Sequence, residues 1–351
     1  MKKWVKAIAV FLPFVLGIFS VNLYADPANL FNRDYENAAA NIILSGENAA
    51  ALANMDDRAF IARCLEGIDY PLDTLVLGSS RSMQISRQLT GEENQFTAGV
   101  TGGDLRDVIS FYLYACQLGK QPERVILVTE PWFLAKSGID NRARIDEYVA
   151  FAEETGTTPI KDHVSFWGKA KELFSIPYFQ SSVNFLKQGL QHHRTPVATT
   201  AYWAESDMRR ADGSYCYNLA YRDPGQAVVD QRAADLTVVP MEKLQWFEGM
   251  EENCMAQFEA IVRRMQADGT EVILMIAPFH PDYYDWLVTA PDYQDVLATE
   301  DYYKETAERL GVFCFGSYDA ASLGLTGADF YDGLHHSAEG LEKFFPAGLK
   351  H

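Results

Sequence analysis

The chain has 351 residues, 48% of them hydrophobic, which suffices for one large core with a sizeable insertion and excludes a disordered polymer. Its formal charge of −18, with no Lys/Arg-rich run, repels phosphate backbones and excludes nucleic acid as a partner.

Residues 1–25 begin with Lys2, Lys3 and Lys6, continue uncharged and apolar from Ala7 to Tyr24, and meet the first acid at Asp26. A basic start followed by an apolar run is the pattern of an export segment. The run is just long enough to span a bilayer, and Leu23-Tyr24-Ala25 only partly meets the small-residue rule for cleavage. We therefore expect an uncleaved membrane anchor in preference to a signal peptide. Residues 26–351 would then lie outside the cytoplasm in the cell envelope, or be secreted or periplasmic if the segment is cut.

Residues 72–78, LDTLVLG, form an apolar run ending in small residues, as expected of a buried parallel strand that stops at a tight turn. Residues 104–118 carry a helical pattern closed by Gly119 and Pro122, and 125–131, VILVTEP, read as a second buried strand. From 133 to 240 the pattern loosens into polar, aromatic-rich stretches such as 167–179 and 201–221, an insertion without internal repeats. Regularity returns with a long helical pattern over 241–269, a strand at 271–278, a helix over 302–310 and a short strand at 312–315. Such alternation predicts an α/β fold with a mostly parallel sheet covered by helices on both faces. In open sheets of this kind, reactive groups gather beyond the carboxyl ends of the strands.

Directly after the first strand comes Gly78-Ser79-Ser80-Arg81-Ser82, which places the Ser80 hydroxyl at the crevice. A serine there needs a base to become a nucleophile, whereas Ser79 and Ser82 read as caps of the following turn. Near the other end stands Tyr331-Asp332-Gly333-Leu334-His335-His336-Ser337. An Asp three residues before a His can fix the imidazole tautomer while the other ring nitrogen takes the serine proton.

Other residues admit two readings. Arg81 and Glu130 are candidates for substrate contact or for pairing with one another, and His280, in Pro278-Phe279-His280-Pro281, is a candidate rim residue or a hydrogen-bonded turn residue. His192-His193 has no carboxylate or thiol at ligand spacing, so neither metal nor cofactor is expected. Cys64, Cys116, Cys216, Cys254 and Cys314 form no Cys-x-x-Cys pair and read as structural thiols, with one or two disulfides left open in an oxidising compartment. A Gly-x-Ser-x-Gly elbow and a phosphate-binding glycine loop are both missing, which argues against lipase-like hydrolases and nucleotide enzymes.

The Gly-x-Ser after the first strand, combined with Asp332-Gly333-Leu334-His335-x-Ser337-x-x-Gly340, resembles the first and last blocks of the SGNH/GDSL hydrolase family. The resemblance implies a flavodoxin-like three-layer sandwich and a triad of Ser80, His335 and Asp332. Thr97-Ala98-Gly99-Val100-Thr101-Gly102-Gly103 is similar to the second block, and Gly102 would share the oxyanion hole with the Ser80 amide. Thr129-Glu130-Pro131-Trp132 departs from the third block, which would supply an asparagine donor. The same departure, together with the N-terminal run, Asp26-Pro27-Ala28-Asn29-Leu30-Phe31 and the Gly-Ser-Ser block, is similar to a membrane-anchored branch linked to teichoic-acid D-alanylation and exopolysaccharide O-acetylation. The resemblance covers about 70–130 and 270 onward. It implies an esterase or O-acyltransferase acting on an acylated envelope glycan or a small ester. The alternative is an inactive accessory protein that binds glycan or recruits a membrane-bound acyltransferase.

Overall fold

The computed structural model describes residues 2–27, 30–31, 34–136, 144–161, 170–187, 195–245 and 247–349. His192, His193, Trp167, Ala28 and Asn29 lie outside the described residues.

Nine strands, in chain order β1 Asn48–Ala50, β2 Thr74–Leu77, β3 Gln95–Thr97, β4 Arg124–Thr129, β5 Val197–Thr199, β6 Met208–Arg209, β7 Tyr215–Cys216, β8 Glu271–Ile276 and β9 Phe313–Gly316, form two sheets among the described residues. The larger sheet is parallel throughout, in the order β3-β2-β4-β8-β9. Successive strands go to opposite sides of β2, so the switch point of this doubly wound arrangement lies at its carboxyl end.

Strands β2, β4 and β8 are continuous apolar runs because both of their faces are covered. Leu75, Leu77, Val125, Leu127 and Leu274 pack into one cluster with helices Leu105–Gln117, Glu252–Ala267 and Gln294–Leu310. Val76, Ile126, Val128 and Met275 point the other way, against Ile85, Leu341 and Phe345. The alternation of side chains along each strand makes two cores from one sheet, and each fully buried aliphatic side chain contributes about 1.5–3 kcal/mol.

Residues 133–240 are more ordered than their sequence pattern suggests. Helices Asp146–Glu154, Ile176–Lys187 and Gln226–Val238 fall there, and β5, β6 and β7 join β1 in an antiparallel sheet of order β5-β1-β6-β7. The expected helix over 241–269 is two helices, Glu242–Gln245 and Glu252–Ala267. Gly249 between them has φ +106, outside the helical region, and the Glu251 amide bonds the Leu134 carbonyl rather than a helical partner. All five cysteines are free thiols, and Cys64, Cys216 and Cys254 are buried.

Lys2–Ala25 is a single helix. Its C-terminal end docks on the Ile176–Lys187 helix and the turn before it. Buried Asn22 donates to the carbonyls of Leu173 and Ser175 at 3.0 and 3.2 Å, and its side-chain oxygen accepts from Ser182 at 3.0 Å. Among the described residues no helix is long and apolar enough to cross a membrane, and the side chains of residues 2–10 lie outside that description.

Candidate active site

Strand β2 ends at Leu77, and Ser79 caps the one-turn helix Ser80–Ser82 by accepting the Arg81 amide at 3.2 Å. Ser82 turns its hydroxyl back onto the Ser79 carbonyl at 2.7 Å. Ser79 and Ser82 thus shape the turn, and Ser80 is left with its hydroxyl 2.8 Å from His335 Nε2. On the far side of the imidazole, Nδ1 lies 2.9 and 3.1 Å from the two carboxylate oxygens of Asp332. Asp332 Oδ1 also accepts the amides of Leu334 and His335, each at 2.7 Å, so the loop winds around its own acid. Burial alone would raise the Asp332 pKa, but the His335 charge, its hydrogen bonds and Tyr221 outweigh it and hold the acid well below the usual carboxylate range.

This order of contacts can move a proton from the Ser80 hydroxyl to His335 while Asp332 holds the ring. His335 and Asp332 keep 17% of their side-chain surfaces open, so the relay is accessible.

The residues 97–103 supply the second ingredient. Val100 N donates to Gly78 O at 3.2 Å, Thr101 N to Asp57 Oδ2 at 2.9 Å and Gly103 N to Val100 O at 3.0 Å. Two amides of this turn are left over, those of Gly99 and of Gly102, the latter at φ +62, and neither they nor the Ser80 amide donate a hydrogen bond among the described residues. Unspent backbone donors on the nucleophile's turn and on the glycine turn bonded to it suit a developing oxyanion. The turn is held from behind by Arg209, which bonds Asp57 at 2.7 Å and the Gly99 carbonyl at 3.1 Å. Burial pushes the Asp57 carboxyl up, and Arg209 with the Thr101 amide more than reverses this, leaving it below its ordinary value. Where an asparagine donor would stand, Trp132 instead donates from its indole to the Gly103 carbonyl at 2.9 Å. The segment after β4 therefore braces the glycine turn.

Three of the sequence candidates are not placed to touch substrate. Arg81 is 1% exposed, pairs with Glu130 at 2.8 Å, and donates to the carbonyls of Pro278, at 2.6 Å, Ala277, and Leu334, at 3.1 Å. A guanidinium so engaged, with four of its five N–H groups spent and 1% of the residue exposed, ties the ends of β2, β4 and β8 to the His335 loop and is not presented to an anion in the crevice. Glu130 is fully buried between Arg81 and Ser79, and burial outweighs both partners to leave its pKa raised. Of the two readings of this pair, mutual pairing is the one observed. His280 is buried as well: its Nδ1 accepts the Asp282 amide at 3.2 Å and caps the helix Pro281–Thr289.

His280, Asp230 and Asp282 are the one trio among the described residues whose ligand-type atoms lie within 4.8 Å of one another. The amide that points at Nδ1 requires a lone pair there, which places the neutral ring's proton on Nε2, facing Asp230 at 3.8 Å. That tautomer offers a metal no ligand atom at Nε2.

The irregular segment contributes residues that no motif signalled. Tyr221, in the short helix Leu219–Arg222, donates to Asp332 Oδ2, and its hydroxyl lies 3.2 Å from His335 Nδ1. Tyr217 packs edge-on against His335 at 5.8 Å between ring centres. With 18 tyrosines in the chain, only the fold distinguishes these two.

A comparison with protein-family models and with curated proteins finds no match for the chain.

Proposed function

We propose that this protein is a serine esterase or O-acyltransferase of the SGNH/GDSL type, with the three-layer form of the α/β fold, acting on an acylated cell-envelope glycan or related ester. The observation that carries the reading is the unbroken hydrogen-bond sequence Ser80 Oγ, His335 Nε2, His335 Nδ1, Asp332, assembled from residues 255 positions apart.

Ser80 Oγ attacks the ester carbonyl as its proton passes to His335 Nε2, and the amides of Ser80 and Gly102 hold the resulting oxyanion. Collapse breaks the carbon–oxygen bond to the alcohol, which leaves with the proton returned by His335. Water then attacks the acyl-serine through the same base to release acid; a sugar hydroxyl in its place makes the reaction a transfer. The basic-then-apolar start of the chain and the solvent-facing Phe11, Phe14 and Leu16 support envelope attachment through the N-terminal helix.

The departure at Thr129-Glu130-Pro131-Trp132 favours the second reading, an inactive accessory protein that presents glycan to a membrane acyltransferase. Labelling with a fluorophosphonate probe, alongside hydrolysis of p-nitrophenyl acetate, separates the two. Labelling that is lost in both Ser80→Ala and His335→Ala is expected of the enzyme. Labelling that is missing in the wild type, or unchanged by Ser80→Ala, would leave the accessory reading.

A further inference from the structure

We propose that Tyr221 is a positioning residue of the relay, holding Asp332 ionised and turned toward His335, so that the segment between β4 and β8 completes the machinery carried by the sheet. The inference rests on the serine-ester reading above.

The Tyr221 hydroxyl shares Asp332 Oδ2 with His335 Nδ1, which lies 2.9 Å from that oxygen. Toward a carboxylate a phenol can only donate, so one Asp332 oxygen receives two protons' worth of hydrogen bonding while the other serves two backbone amides. Burial and the nearby Asp332 push the Tyr221 phenol up, which keeps it a donor across the working pH range.

Its placement is built rather than incidental. Asn218 caps the helix Leu219–Arg222 by accepting the Tyr221 amide at 3.0 Å, and Asp207 holds the Asn218 amide at 2.9 Å. The Arg232 guanidinium lies 4.7 Å over the Tyr221 ring and donates to the carbonyls of Tyr221 and Tyr331 at 3.1 and 3.0 Å, which joins this helix to the residue preceding Asp332. Tyr217 closes the ring's other approach at 4.9 Å.

A carboxylate with several donors holds its charge less available to any one of them. Remove the Tyr221 hydroxyl, and Asp332 favours the imidazolium form of His335 more strongly, so the base is silenced by protons at a higher pH. Glu130 and His336, both buried, also feel the His335 charge, Arg81 reaches the Leu334 carbonyl beside it and Tyr217 packs on its ring, and none of these groups is hydrogen-bonded to the Tyr221 hydroxyl.

The test is the pH dependence of fluorophosphonate labelling in full-length wild type, Tyr221→Phe and, as a control at a tyrosine bonded to Glu66 away from the site, Tyr114→Phe. In Tyr221→Phe the acid limb should move up by about half to one pH unit, so that labelling falls about 3- to 10-fold on the acid side of the wild-type limb and much less on its alkaline plateau. Tyr114→Phe should keep the wild-type limb. An equal loss at every pH in Tyr221→Phe, or no loss at all, would reduce Tyr221 to packing. A second readout does not depend on turnover: in Ser80→Ala protein, the downfield proton resonance of His335 Nδ1 should shift when Tyr221→Phe is added, and an unmoved resonance would overturn the proposal. If that resonance shifts while wild-type protein resists labelling, the positioning role stands and the esterase reading is what fails.

Discussion

Arg81 Nε donates to the Leu334 carbonyl at 3.1 Å, which couples the turn carrying Ser80 to the residue immediately before His335. Ser80 and His335 are 255 positions apart, so something other than chain continuity must set their 2.8 Å contact. Arg81 does so with the side of the turn that faces away from the crevice, while the Ser80 hydroxyl faces into it.

Replacing Arg81 by Ala should therefore damage stability and chemistry together. It leaves Glu130 as a buried carboxyl with Ser79 as its remaining side-chain partner, and breaking a buried pair on one side costs about 3–5 kcal/mol. The double variant Arg81→Met/Glu130→Gln separates the effects. Its urea midpoint should recover most of the loss, yet fluorophosphonate labelling should stay depressed because the Leu334 link is gone. Full recovery of labelling would show that the pair matters for folding alone.

Asp332→Asn keeps the volume of the side chain and removes its charge. An amide can present its NH2 to His335 Nδ1 and so favour the tautomer with the proton on Nε2, where the ring can no longer accept from Ser80. The rate of acylation by p-nitrophenyl acetate should fall by about 10³- to 10⁴-fold while far-UV circular dichroism is unchanged. A loss below tenfold would mean that Asp332 serves only to wind its loop.

The glycine turn gives a different signature. Trp132→Phe retains the buried ring but deletes the donor to Gly103 O, leaving the Gly102 amide less firmly aimed. Because the oxyanion charge is absent from the bound ester and develops on the way to the tetrahedral intermediate, kcat should fall by about tenfold with KM nearly unchanged. Were KM to rise with kcat preserved, Trp132 would instead be shaping substrate binding.

How much of this could be read from the chain depended on distance along it. Ser80 stood out because a short apolar strand runs into it, and Asp332 and His335 because they share one loop. The parallel strands showed themselves as unbroken runs such as Val125 to Val128, since burial on both faces removes any polar position. Asp57 and Arg209 are 152 positions apart and each looks like an ordinary surface charge until the fold buries both. The strands of the small sheet are two or three residues long, too short for alternation to register. Tyr221 belongs to a four-residue helix, where neither period nor spacing marks it. The false continuity over 241–269 arose because buried Leu244 and Phe247 keep a helical rhythm up to the glycine that breaks it.

His336 gives the protein a built-in sensitivity to acid. It is fully buried next to His335, neither ring nitrogen has a hydrogen-bond partner among the described residues, and burial, with Arg81 and His335, pushes its pKa down to about 3. An unfolded histidine titrates near 6.5, so the unfolded chain takes up this proton first as the pH drops. The contribution of neutral His336 is thus complete above about pH 6.5 and drains away toward pH 3, amounting to about 2 kcal/mol lost by pH 5. His280, also lowered by burial, acts in the same direction. Glu130, raised by burial, acts in the opposite one, and Asp57 and Asp332, both depressed, begin to matter only below about pH 4. Urea midpoints at pH 7, 6 and 5 should therefore decline in the wild type, and His336→Phe should flatten that decline, since a ring without titratable nitrogens fills the site beside Phe344. If the variant loses stability with falling pH as steeply as the wild type, the buried imidazole is not the source of the slope.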